Sequence, residues 1–223
     1  MGFLDDLKRQ ADALKAQQGN DSAALARNAA LTEATCKGAF DYLNTLRDQL
    51  DLLQPVSPAR FVLDRQHVFA GVKLSDFRID ARRKPLRDQD VHDFIVLHWQ
   101  LKTGRVLELT KDFVPDIEKL EPRLRQSGAN VEAEAMRNPD NGKLLGMRYR
   151  FVADFRGSLR ITPDHDSTRM HIQLNNLDGF ESVSVEFPAI ELGSARLDEL
   201  ARWLAGAPHA FLQDGQALRR VEA

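Results

Sequence analysis

Apolar residues in the first quarter of the chain repeat with helical spacing. A first group, three or four residues apart, predicts one apolar face of an α-helix. It contains Leu4, Leu7, Ala11 and Leu14. Residues 19–22 read Gly-Asn-Asp-Ser, which combines a glycine able to end a helix with a residue able to cap the next one. We therefore expect an antiparallel helical hairpin over residues 1–54.

A longer stripe follows with alternating spacings of four and three, which predicts the second helix of that hairpin. Its members are Leu25, Ala29, Thr32, Cys36, Ala39, Leu43, Leu46, Leu50 and Leu53. The early members are small and would receive the leucines of the first helix. The later leucines, Leu43, Leu46, Leu50 and Leu53, extend past its reach. They are predicted to be an interaction surface, which docks either on the remainder of the chain or on another copy.

Beyond a proline-containing linker at residues 54–58 the repeat of apolar residues changes from helical to every second residue, which is typical of half-buried strands. Phe77, Ile79 and Ala81 alternate with charged residues, and several later segments repeat that style. Helical spacing returns twice, once after Pro115 and once after Ser194. The predicted fold class is α+β: residues 55–223 form a mostly antiparallel sheet of roughly eight strands with two amphipathic helices packed on it.

A faint internal repeat lies within this second region. His98-Trp99-Gln100-Leu101 precedes a hairpin and then an amphipathic helix, and residues 171–174 (His-Ile-Gln-Leu) precede a similar series. One interpretation is a duplication that relates residues 59–129 to residues 130–212. The other is that antiparallel strands feeding short helices look alike without common descent.

Composition narrows the function classes. The 223 residues carry 31 basic and 33 acidic side chains, a net charge of −2, so the surface as a whole is not built for nucleic acid and none is expected as a partner. The single cysteine, Cys36, cannot form an intramolecular disulfide. No apolar run is long enough for a membrane span, and acidic residues stand where a signal peptide needs an apolar core. We expect a cytoplasmic protein.

The sequence contains few candidate residues for catalysis, cofactor binding or metal binding. The sequence contains no nucleotide-binding glycine loop, no paired-cysteine motif and no nucleophile elbow, so no cofactor is predicted. The residues most similar to a metal site are Asp164, His165, Asp166 and His171, because carboxylates and imidazoles bind divalent transition metals. The same segment has the composition of a polar hairpin loop. We expect no stoichiometric metal there.

A basic run ends one predicted strand. It contains Arg82, Arg83, Lys84 and Arg87, which could hold a phosphate or another anion. Asp88 and Asp90 lie within reach and would neutralise it. The alternative, a solvated hairpin loop, is the one that the charge balance favours.

Two functions remain open, and the sequence leaves it undecided whether the protein is an enzyme. The first is a non-catalytic interaction or assembly protein that uses its helical segment to bind a protein partner or a second copy. This hypothesis is based on the long apolar stripe and on the lack of a catalytic motif. The second is a small-ligand-binding or metal-dependent, enzyme-like domain with a site between sheet and helices.

Overall fold

The structure, a computed structural model, describes the backbone of residues 3–222 and the side chains of residues 8–10, 14, 17 and 21–222. The mixed α+β class with antiparallel sheets is confirmed. Three α-helices are present in the described part of the chain. They are α1 (Phe3–Leu53), α2 (Val114–Ser127) and α3 (Ser194–Leu204). A short 3-10 helix at Ala189–Glu191 precedes α3.

The predicted helical hairpin is wrong, because α1 is one continuous helix of 51 residues. At about 1.5 Å per residue it is roughly 76 Å long. Residues 19–22 remain helical, since a glycine inside a helix costs only about 1 kcal/mol relative to alanine and no proline is there to break it. The helix ends at Leu53, where Gln54 takes a left-handed φ of 46° and Pro55 follows.

The largest sheet has six antiparallel strands rather than eight. Its spatial order is β11 (Gln216–Glu222), β10 (Glu181–Pro188), β9 (Arg169–Asn175), β8 (Phe155–Asp164), β4 (Gln89–Lys102) and β3 (Lys73–Leu86). A second sheet has the order β5 (Val106–Lys111), β7 (Leu144–Val152) and β6 (Glu132–Arg137). The short strands β1 (Arg60–Val62) and β2 (Val68–Ala70) pair only with each other.

The position of β5 explains the smaller number of strands. The sequence predicts that a turn at Thr103-Gly104 folds β5 back on β4. In the structure β4 is already paired with β3 along one edge and with β8 along the other, so no edge of β4 is free for a third strand. The amides of Thr103 and Gly104 donate instead to the Asp154 carboxylate, and β5 pairs with β7.

One face of the six-stranded sheet forms the core, and the other is polar. On β8 and β10 every second residue is buried. The buried face is covered by the second half of α1, by α2, by α3 and by the β1–β2 pair, whose side chains belong to one continuous apolar cluster. Trp99 lies opposite Gly157 in this face, and a Cβ at that glycine would come within 2.1 Å of the indole. Only glycine therefore leaves room for Trp99 at this position.

Candidate functional site

Small side chains let the second half of α1 lie close against the sheet. Ala29, Cys36 and Ala39 are buried where α1 meets β3, β4 and β8. The predicted hairpin would have covered these residues with the leucines of a first helix. The sheet covers them instead, because α1 does not fold back on itself. The same helical turn carries a buried acidic residue, Glu33, three positions before Cys36, so both project from one face of the helix.

Hydrogen bonds from the β3–β4 hairpin hold the Glu33 carboxylate. The His92 backbone N–H donates to Oε2 at 2.9 Å, and the Nδ1 atom of its ring lies 2.9 Å from Oε1. Arg83 donates to Oε1 at 3.2 Å. Burial by itself raises the pKa of Glu33, but the contacts with His92 and Arg83 outweigh it and leave that pKa below the ordinary value. The Glu33 carboxylate is therefore ionised where α1 packs on the β3–β4 hairpin.

His165 faces the same cluster from the hairpin that joins β8 to β9. It is only 4% exposed, and its Nε2 atom has no hydrogen-bond partner within the described residues. The Glu33 Oε2 atom lies 3.7 Å away, which is too far for a hydrogen bond. Burial lowers the pKa of His165 despite the attraction of Glu33, so the ring is neutral.

Cys36 completes the cluster. Burial, with a further contribution from the Glu33 charge, raises the pKa of its thiol to about 12. The ligand atoms of Glu33, Cys36 and His165 all lie within 4.8 Å of one another. The site therefore joins a carboxylate, a thiol and an imidazole with an unused nitrogen, all shielded from water. We call it the Glu33 cluster.

The four metal candidates named from sequence do not come together. The Asp164 carboxylate accepts hydrogen bonds from Ser167 and from the Asp166 amide, as in a turn. Asp166 pairs with Arg87 at 2.5 Å. His171 lies on the polar face of the sheet, 3.1 Å from the Glu186 carboxylate. Of the four, only His165 enters the core.

Sequence reasoning missed Glu33 and Cys36 as neighbours of His165. No short spacing motif links them, because 129 residues separate Cys36 from His165 and the contact exists only once α1 lies on the sheet. One signal was available. Side chains alternate between the two faces of a strand. His165 is an even number of residues from the buried Leu159 and Ile161, so it falls on their face, whereas His171 lies between the buried Met170 and Ile172 and falls on the opposite face.

The basic run of the sequence is paired with acids along its length. Arg82 and Lys84 lie 3.8 and 3.1 Å from the Asp93 carboxylate. Arg83 bonds Asp90 as well as Glu33, and Arg87 pairs with Asp166. Each of these four cations thus already has a carboxylate, and no open cradle for an anion forms between them.

The leucines predicted to form an interaction surface have different environments. Leu43 and Leu50 are buried in the core, and Leu46 is half-buried against it. Leu53 is exposed at the end of α1, next to Leu52, which is 81% exposed. Of the predicted surface, only Leu53 is open to solvent.

The first half of α1 lies beyond the body of the protein. We call residues 3–27 the arm. All of its described side chains are exposed or half-exposed, and Ala29 is the first buried residue among the described side chains of the helix. Asn28 marks the boundary, where its side-chain amide donates to the Asp166 carbonyl at 2.7 Å. The arm is therefore about 37 Å of helix that extends past the sheet.

Leu14 shows what this extension does to the apolar stripe. It stands 18 residues before Thr32 and 36 before Leu50, which are five and ten full turns at about 3.6 residues per turn. All three therefore point in the same direction from the helix axis. Thr32 and Leu50 are buried at 0% and 2% exposure, but Leu14 is 58% exposed. The apolar face of α1 continues into the arm, where nothing in the described chain covers Leu14.

A cavity lies elsewhere, between α2 and the loop that joins β1 to β2. Its volume is about 740 Å³, within the range of small-molecule sites. Its walls include Leu63, Leu120, Arg65 and Lys119. On one side Lys111 pairs with the Asp64 carboxylate at 2.8 Å. Burial alone would raise the pKa of Asp64, but hydrogen bonds from Lys111, His67 and two backbone amides hold it far below its usual range.

Comparisons with protein-family models, with curated proteins and with solved structures gave no match for this chain. None of the helices in the described residues has an apolar stretch long enough to cross a membrane. The function of the protein must therefore be inferred from its own sequence and structure.

Proposed function

We propose that this is a non-catalytic assembly protein in which the arm pairs with the arm of a second copy. The observation that carries the proposal is the exposure of Leu14 on the helical face that is buried further along α1. Most of the stability of a helix in a protein comes from packing of its apolar face rather than from helix propensity. A partner that covers its apolar face would stabilise both helices.

The charges of the arm favour a second copy as that partner. Basic and acidic residues are equal in number along it. They are Lys8, Arg9, Lys15 and Arg27 against Asp5, Asp6, Asp12 and Asp21. Two such arms would not repel each other, whereas a strongly basic or acidic partner would gain little from a segment without net charge. The apolar spacing of Leu4, Leu7, Ala11 and Leu14 is that of a two-helix seam.

Light scattering over a dilution series tests the proposal. We expect a reversible shift from 25.2 kDa to twice that mass as the concentration rises toward roughly 100 µM. Leu14→Glu should abolish the shift, because it places a charge in the seam. The matched control is Leu52→Glu, which changes another exposed leucine at the other end of α1 and should leave the dimer intact.

Two results would contradict the proposal. One is a monomeric mass at every concentration. The other is loss of the dimer on Leu52→Glu and not on Leu14→Glu, which would move the contact to the opposite end of the helix.

The alternative function is small-ligand binding, and the cleft beside α2 is the observation that favours it. The combination of Leu63 and Leu120 with Arg65 and Lys119 in its lining suits an anionic molecule with an apolar part. Native mass spectrometry of the purified protein should then show a bound small molecule that Arg65→Glu removes. A clean mass of the chain alone would count against this alternative and leave the assembly proposal untouched.

A further inference from the structure

Three potential metal ligands meet under α1 although no short motif contains them. Glu33 and Cys36 come from one helical turn, and His165 comes from the β8–β9 hairpin. We propose that Glu33, Cys36 and His165 bind a zinc ion. The proposal concerns a different part of the molecule from the arm and does not depend on self-association.

The spacing of the three ligand atoms suits a single ion. They lie within 4.8 Å of one another. The ligand atoms of a tetrahedral zinc site are about 3.4–3.8 Å apart, as zinc-to-ligand bonds of about 2.0–2.3 Å require. A contraction of about 1–1.4 Å in the widest pair would bring the atoms to bonding distance, and rotation of the Cys36 and His165 side chains can supply it.

The donor set selects the metal class. A thiolate sulfur, an imidazole nitrogen and a carboxylate oxygen are the three ligand types that zinc uses in proteins. Cys36 would bind as the thiolate and release its proton to solvent as the ion enters. Calcium and magnesium prefer oxygen ligands alone and in larger number. Three protein ligands also leave the fourth position of a tetrahedral ion for a water molecule.

The unused nitrogen of His165 is the independent observation that points to a ligand. Buried polar side-chain atoms almost always have a hydrogen-bond partner, yet the Nε2 atom of this 4% exposed residue has none among the described residues. It faces the Glu33 carboxylate at 3.7 Å. A metal ion between these two atoms would give the Nε2 atom the partner that it lacks, while the Oε2 atom keeps its hydrogen bond from the His92 backbone.

Residues around the three ligands already hold the carboxylate in place. His92 contacts Glu33 through its backbone N–H and its ring, and Arg83 contacts the Oε1 atom. Such contacts orient metal-binding carboxylates in known sites. The Arg83 side chain is 42% exposed, so it links the buried carboxylate to the surface of the protein.

The proposal replaces the expectation, drawn from sequence, that no metal binds at the His165 loop. That expectation weighed His165 together with Asp164, Asp166 and His171, which the structure separates. The ligands proposed here share only His165 with that set.

The first test uses the unaltered protein, purified without chelators and kept reduced. Titration with Zn²⁺ in competition with a coloured chelator should show one equivalent per chain with a dissociation constant of about 1 µM or below. Substitution with Co²⁺ should give a sulfur-to-cobalt charge-transfer absorption. Because the sequence contains a single cysteine, that absorption reports Cys36 without any mutation.

The second test uses variants and a matched histidine. Cys36→Ser and His165→Gln should each weaken zinc binding by at least about 100-fold, and His92→Gln, which alters a positioning residue, by about 10–100-fold. His171→Gln is the control, since His171 lies near in sequence but on the opposite face of the sheet. It should leave the affinity unchanged.

Three outcomes would overturn the proposal. The first is no stoichiometric binding to the unaltered protein at roughly 100 µM zinc. The second is a cobalt spectrum without the sulfur absorption, which needs no variant to fold. The third is binding that His171→Gln removes and His165→Gln does not, which would place the ion on the surface.

Discussion

The two halves of α1 have the same apolar pattern and opposite surroundings. Leu43 and Leu50 in the second half are buried against the sheet, whereas Leu14, which points in the same direction, is exposed. The periodicity of a helix therefore specifies which face is apolar but not what that face contacts. In this chain the covering element is the sheet for one half, and for the other half we propose a second copy.

Hydrogen exchange should show the largest difference between the halves. In dilute monomer, amides of α1 beyond Ala29 should open only with global unfolding, about 5–15 kcal/mol for a typical domain. Those of the arm should exchange with a protection of about 1 kcal/mol or less, at least about 1,000-fold faster. Protection of the arm should then rise with concentration if it pairs. Equal protection along all of α1 in the monomer would contradict this picture.

Leucine truncation compares the halves with matched chemistry. Leu43→Ala should lower the free energy of unfolding by about 2–5 kcal/mol, because it opens a cavity beneath the helix. Leu14→Ala should change it by no more than about 0.5 kcal/mol at low concentration, since the side chain is exposed there. Urea unfolding of both variants measures this. Similar losses for the two would mean that the arm is packed in the monomer.

Tyr42 provides a smaller and pH-dependent effect within the packed half. Its hydroxyl donates to Asp198 of α3 at 2.5 Å, and burial together with the Asp198 charge raises its pKa. The unfolded chain loses this phenolic proton near pH 10 while the folded chain keeps it, so stability falls as pH rises above about 10.

Tyr42→Phe should cost about 0.5–1.5 kcal/mol at neutral pH, and the difference from the unaltered protein should shrink above pH 10. Thermal unfolding from pH 7 to 11 measures both effects. A difference that stays constant with pH would exclude this pairing as its cause.

The smallest effect is expected at the boundary between the halves. Asn28→Ala removes the exposed hydrogen bond to the Asp166 carbonyl and should cost about 0.5 kcal/mol. Its distinct consequence should be local: faster exchange of the amides in the turn that follows Asn28, with no change near Leu50. Exchange that accelerates throughout α1 would mean that Asn28 supports the whole helix.

Strand periodicity and the two short helices were predictable, because alternation and helical spacing reflect burial that each segment meets locally. α2 follows Val114 and Pro115 and ends at Ser127, where Gly128 takes the left-handed conformation. The continuity of α1 was not predictable from its residues, because capping signals at residues 19–22 permit a break without requiring one. Whether residues 59–129 and 130–212 arose by duplication stays a prediction.

The candidate site shows a second limit. The alternation of β8, extended one residue past its end at Asp164, points His165 toward the core but does not identify its partners. Glu33 and Cys36 reach it only because α1 crosses the sheet at that point, and the place of crossing depends on the packing of side chains along the whole length of contact.

The basic run on β3 has a consequence for how copies of this protein meet. β3 is an outer strand of the six-stranded sheet, and such strands can pair with the strands of another molecule through their free backbone groups. Here the C-terminal half of β3 carries Arg82, Arg83 and Lys84, followed by Pro85, which has no N–H to donate. Charge and proline at this edge disfavour growth of the sheet from one molecule to the next through β3, so this strand is a poor contact between copies.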